Sequence, residues 1–148
     1  MINLKLIYKI IGSLLFIESA LMMVCLAMAF YFREDDILAF GVAVAATSLC
    51  GLFMRFMGRD SDNSLSRRDA YLVVTLTWLV FSLLGTLPFV VSGYLPSFTD
   101  AFFETMSGFT TTGATVINDV EALPHGLLFW RSLMQWIGGL GIVFFTIA

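Results

Sequence analysis

The stretch Ala101-Phe-Phe-Glu-Thr-Met-Ser-Gly-Phe-Thr-Thr-Thr-Gly-Ala-Thr-Val-Ile117 changes character halfway along: it is largely apolar through Phe109, then rich in threonine and glycine. A continuous membrane span built from it would leave a Thr-Thr-Thr-Gly run in lipid. The pattern predicts instead a half-length helix over about Asp100 to Phe109, roughly 15 Å long at the standard helical rise, followed by an extended return. The helix should begin just after Pro96, where Ser97, Thr99 and Asp100 offer side-chain oxygens for its cap. Non-helical backbone at membrane depth survives only where protein or water covers it. A helix that stops there aims the partial negative charge of its C-terminus at the bilayer centre. The strip from Thr110 to Thr115 would then hold a row of carbonyl oxygens against whatever occupies the axis, and a dehydrated cation suits that position. Gly113 admits backbone angles that turn successive carbonyls the same way. The threonine hydroxyls add oxygens without a formal charge that would trap the ion.

This reading requires flanks that cross a bilayer. The chain has 148 residues, 59% of them hydrophobic and only 13% charged, with mean hydropathy +0.91, against roughly 25% charged in an average soluble domain. About 20 apolar residues cover a hydrocarbon core of about 30 Å. Four stretches meet or approach that length: about Ile10 to Phe32, interrupted only by Glu18; about Ile37 to Phe56, uncharged until Arg55; about Ala70 past Val91, with Pro88 near its far end; and from about Leu127, with Arg131 in its first turns and no charge from Ser132 to Ala148. The sequence stops there without a polar flank or a basic exit and reads as a fragment. Lys5 and Lys9 before an apolar run also suit a cleaved leader, but the run is too long and has no clear small-x-small site.

Basic residues set the direction. Lys5 and Lys9 precede the first span, and Arg55, Arg59, Arg67 and Arg68 lie between the second and third, whereas the first turn reads Arg33-Glu34-Asp35-Asp36. The N-terminus and the second loop therefore belong in the cytoplasm. The expected fold is all-α and integral to the membrane, in two units: residues 1–66 form a leading transmembrane hairpin that closes in the polar Gly58 to Ser66, and residues 67–148 form a helix, re-entrant pore loop, helix repeat with its last helix cut short.

Several classes of function lack the residues they need. Eight Lys+Arg are too few and too dispersed for a nucleic-acid face, and Cys25 and Cys50, both in apolar runs, read as small buried hydrophobes. There is no Ser/His/Asp, Cys/His, metal-ligand or phosphate-loop constellation, so the chain is not expected to be an enzyme. Two classes remain. One is a cation-translocating membrane protein. The other is a non-conducting membrane anchor or assembly subunit, in which Thr110 to Thr115 is merely a buried turn, since Thr/Gly runs also occur at ordinary helix ends.

Placement favours the first. Rows of backbone carbonyls that replace an ion's hydration shell form the TVGYG filter of potassium channels, and the comparable stretch here is Thr111-Thr112-Gly113-Ala114-Thr115. The run Thr99 to Thr115, the later Leu123-Pro-His-Gly126, and Leu128-Phe-Trp-Arg-Ser-Leu-Met-Gln-Trp-Ile-Gly-Gly-Leu-Gly141 resemble the first pore repeat of the Trk/Ktr/HKT superfamily of potassium transporters, most closely its TrkH/TrkG branch. The resemblance is highly specific from about Arg67 to Ala148 and weak before that.

It implies a potassium-channel-like fold of four repeats in one polypeptide around a single pore, with two additional leading helices. It also implies a homodimer in the bacterial inner membrane, a cytosolic TrkA-type nucleotide-binding regulatory subunit, and potassium as the ion carried. This chain would supply one quarter of the pore, and the remaining three repeats would be its partners beside membrane lipid. The filter glycine falls on Gly113, and the potassium-binding backbone oxygens on Thr111, Thr112, Gly113 and Ala114. Ala114 and Thr115 stand where channels have an aromatic and a second glycine, which implies a less rigid filter. Channel conduction and coupled symport both remain open.

Other residues carry two readings each. Glu18 is a functional candidate because an ionised carboxylate is costly inside a membrane, yet a protonated or hydrogen-bonded packing residue is the preferred reading. Glu104 suits the positive end of the pore helix and, with Asp100, Asp119 and Glu121, could enrich cations at the mouth. Arg131 is expected to pair with one of these acids. His125 reads as a turn residue, and Gly138, Gly139 and Gly141 read as helix-packing positions rather than a hinge.

Overall fold

The computed structural model describes residues 3–59, 61 and 66–147. Among them the fold is entirely helical: α1 (Leu4–Phe32), α2 (Ile37–Met57), α3 (Arg67–Gly85), α4 (Leu87–Ser92), α5 (Phe98–Phe109) and α6 (His125–Ile147). Three helical segments, Leu4–Phe32, Ile37–Met57 and Arg67–Ser92, are long and apolar enough to cross a membrane. With 23 residues, α6 has the length to do so as well. Much of the polar segment placed between the two expected units, residues 60 and 62–65, lies outside the described residues.

The first helix begins earlier than its apolar run. The Asn3 side chain accepts from the Leu6 N–H, so Lys5 and Lys9 enter the first turns and α1 reaches 29 residues, about 44 Å and longer than the hydrocarbon core. It packs along α2 through small residues. A Cβ on Gly12 would meet Gly51 O and Arg55 N at 2.8 Å, and one on Gly58 would meet the Lys5 and Lys9 backbone at 2.5–2.6 Å. The Asn3 N–H donates to Asp69, which with Ser66 forms the capping box of α3. The start of α1, the end of α2 and the start of α3 therefore share one end of the bundle.

The third span is not one straight helix. It breaks at Thr86, because Pro88 has no N–H to donate and its ring clashes with the carbonyl four residues back. Carbonyls at the break find side-chain donors, as buried backbone in an apolar setting requires. Thr105 Oγ1 donates to Ser82 O at 3.0 Å, Thr86 Oγ1 to Leu83 O at 2.6 Å, and Trp130 Nε1 to Gly85 O at 3.1 Å.

At the opposite end, the acidic turn between α1 and α2 meets the start of α6. Glu34 accepts from the His125 backbone N–H and pairs with His125 Nδ1, both at 2.7 Å, and the His125 ring stacks on Phe32 at 4.0 Å. This explains why α6 starts at His125 rather than at Leu127. The buried Asp36 carboxyl is packed so closely that a Cβ on Gly126 would collide with it.

Candidate functional site

The short helix α5 starts two residues before the expected Asp100, because Ser97 Oγ accepts from the Asp100 N–H and takes the cap. Its direction follows from two contacts. Glu104 meets Arg131 in the second turn of α6, and a Cβ on Gly138, past the middle of α6, would strike the carbonyl of Phe109. The two helices thus run the same way, and α5 stops partway along α6. The Phe109 ring is fully buried among Trp78, Phe81 and Trp130, with centroids 6.3, 5.7 and 6.1 Å away.

Glycines make this approach possible. A Cβ on Gly108 would crowd Met134 at 3.1 Å, and one on Gly141 would crowd Trp78 at 3.2 Å. All of Gly138, Gly139 and Gly141 face packed neighbours, Thr111 among them.

The end of α5 is a Schellman motif, in which the last carbonyls of the helix accept from N–H groups just beyond it. The Thr111 N–H donates to Gly108 O and the Thr112 N–H to Ser107 O, both at 3.0 Å. Such a motif places its first residue past the cap in the left-handed region, usually as glycine. Here that residue is Thr111, at φ 57°, and Gly113 follows at φ 77°. The helix does not continue through Thr112 and Gly113.

From Thr110 to Val116 the chain is exposed, without regular structure after Thr111. Among the described residues, the carbonyls of Thr111, Thr112 and Gly113 accept no hydrogen bond, whereas the carbonyl of Ala114 accepts from Ser107 Oγ at 2.6 Å. That bond uses one of the two lone pairs on the Ala114 oxygen. Thr110 and Thr112 link their hydroxyls at 2.9 Å.

Glu104 fastens the strip from behind. Its carboxylate is 2% exposed and accepts from Arg131 Nε at 2.6 Å, from the Thr115 hydroxyl at 3.0 Å and from the Val116 N–H at 3.1 Å. Ser107, Gly108, Ala114, Met134 and Gln135 close around this cluster with no room for a water. Glu104 is therefore turned inward, while Asp100, Asp119 and Glu121 are exposed. The roles of Ser107 and Thr115 as donors that hold the loop, and of Thr105 and Trp130 as donors at the break in the third span, were not visible in the sequence; each depends on a partner that only the fold brings near.

Glu18 is fully buried, and neither carboxyl oxygen has a hydrogen-bond partner among the described residues. Oε1 lies 3.6 Å from the place a Cβ on Gly85 would take, beside the break in the third span. Cys25 and Cys50 are free thiols, the first buried and the second half-buried.

A model of the TrkH family, described as a cation transport protein, matches residues 36–148. The Trk system potassium uptake protein TrkH of Halomonas elongata is 39% identical over 147 residues, covering 99% of this chain and 30% of that protein. TrkG of Escherichia coli is 31% identical, with the same coverage of 99% and 30%. The crystal structure of the potassium transporter TrkH from Vibrio parahaemolyticus superposes with a TM-score of 0.86 at 38% identity, over 94% of this chain and 30% of that one. The chain thus spans about three-tenths of the length of these relatives. By the family match over most of its length and the shared helical fold, it belongs to the TrkH family of cation transport proteins.

Proposed function

We propose that this chain contributes to potassium uptake across the bacterial inner membrane by supplying the first of four pore repeats, one quarter of a selectivity filter. In this reading, residues 1–66 are the leading hairpin, and residues 67–148 are the repeat, with Thr110 to Thr115 as the return of a re-entrant pore loop. The N-terminus is cytoplasmic. Potassium binds the backbone carbonyls of Thr111, Thr112, Gly113 and Ala114, as the ion's hydration shell is exchanged for protein oxygens. The remaining repeats of a longer chain, a second copy of it, and a cytosolic TrkA-type subunit complete the assembly.

The observation that carries this reading is the end of α5: a short helix stops against α6 and delivers an exposed strip whose carbonyls at positions 111, 112 and 113 have no donor among the described residues. In a non-conducting anchor these carbonyls would be satisfied within the chain or by a neighbouring helix, and among the described residues those of positions 111, 112 and 113 are not.

The test is ion discrimination by the full-length chain in a potassium-uptake-deficient host. Gly113→Ser places a Cβ on a residue at φ 77°, a conformation side chains resist. Discrimination of potassium from sodium should fall, while Cys50→Ser leaves transport intact. Equal ion preference in wild type and Gly113→Ser, at matched membrane abundance, removes Gly113 from the selectivity mechanism.

A further inference from the structure

We propose that the groove between the first half of α1 and the last half of α2 binds the headgroup of an anionic phospholipid. A cavity of about 350 Å³ opens there, lined by Lys9, Leu52, Arg55, Phe56 and Arg59. Among the described residues that line it, three are cationic and none is acidic. The other two are apolar and face outward, Leu52 58% and Phe56 72% exposed.

The site is built into the backbone. Gly12 and Gly51 bring α1 and α2 into contact beside Arg55, and Gly58 seats the end of α2 on the Lys5 and Lys9 backbone. Helices this close leave no space between them for long side chains, so those of Lys9, Arg55 and Arg59 are gathered at the rim. Ser13 Oγ accepts from Arg55 Nη1 at 3.3 Å, holding that guanidinium in place.

A phosphodiester offers oxygens that suit a guanidinium fork, and basic pockets between transmembrane helices on the cytoplasmic side take anionic headgroups. The outward faces of Leu52 and Phe56 run toward the apolar body of α2 and give an acyl chain a surface to follow. A soluble phosphate would use the cations and leave that surface bare, so the occupant assigned is a lipid. The inference rests on the membrane placement and cytoplasmic N-terminus proposed above and is independent of the filter.

Native mass spectrometry of the full-length chain, delipidated and exposed to equal phosphatidylglycerol and phosphatidylcholine, reads the site directly. Wild type should retain phosphatidylglycerol preferentially. Arg55→Gln with Arg59→Gln should weaken that retention roughly 30-fold if each arginine contributes as a basic residue near an anionic surface does, and Arg55→Lys with Arg59→Lys should keep the preference. Arg33→Gln, which removes a cation from the opposite end of α1, should change nothing. Equal retention of the two lipids, an equal loss with Arg33→Gln, or no loss with the double glutamine variant overturns the proposal. So does displacement of the lipid by millimolar inorganic phosphate, which would make this a soluble anion site. Potassium uptake measured on the same variants keeps the two readings apart: loss of the filter reading leaves lipid retention unchanged.

Discussion

Thr111 puts a β-branched side chain where the Schellman end of α5 demands left-handed backbone, at φ 57°. That conformation costs an L-residue about 1–2 kcal/mol, and three N–H bonds back to Ser107 and Gly108 hold it. The side chain is retained despite that cost, with its methyl 4.0 Å from the position of a Cβ on Gly139. Thr111→Gly should therefore leave the full-length protein as stable as wild type, or raise its stability by up to about 1 kcal/mol, while lowering discrimination of potassium from sodium. A thermal melt in detergent beside an ion-competition uptake assay checks both halves; a clear fall in melting temperature contradicts the strain assignment. Gly113 was legible from sequence because glycine announces unusual backbone angles. Thr111 was not, since its strain arises from the helix-end hydrogen bonds rather than from its residue type.

At the scale of elements, α5 and the strip that follows it are joined to α6 by one carboxylate. Glu104, 2% exposed, bonds Arg131, Thr115 and Val116. Removing one partner of a buried ion pair leaves a charge uncompensated and costs about 3–5 kcal/mol. Arg131→Met should sharply lower the abundance and melting temperature of the full-length chain, and adding Glu104→Gln should restore much of the loss by removing the stranded charge. A double variant no more stable than Arg131→Met argues against the pair as the fastening. Length and polarity alone indicated a half-helix followed by an extended strip and a returning helix, and Arg131 could be matched to an acid of the loop. Which acid it chooses depends on the register of α5 against α6, which Gly138 and Gly108 set through contacts far apart in sequence. The break at Thr86 is not legible for a related reason: Pro88 lies near the far end of an otherwise unbroken apolar run, and donors that make the break tolerable come from α5 and α6.

Across the whole molecule, α1 and α2 meet α6 at a second acidic site, the turn that receives the start of α6. Burial pushes the Asp36 carboxyl above the usual carboxylate range, and the neighbouring Glu34 and Asp35 push it the same way, against its own backbone N–H and that of Leu127. Among the described residues neither Asp36 oxygen closes an ordinary hydrogen bond, although the Leu127 backbone is near enough to favour the charge. The folded state therefore holds this proton more tightly than the unfolded chain. The resulting penalty is complete above the raised folded value and disappears as pH falls below the ordinary one. In Asp36→Asn the group is absent. The stability of wild type relative to Asp36→Asn should thus increase as pH is lowered from about 7 towards about 4, read as the difference between paired melting curves; a difference that shrinks on acidification reverses the assignment.

The contact of Glu34 with His125 also orders events in time. The amide that opens α6 is answered by a side chain made 91 residues earlier. During synthesis the acceptor has already left the ribosome when the donor emerges, so α6 can fix its first turn at once. A chain begun at Arg67 would emerge with the same helix and nothing to receive it.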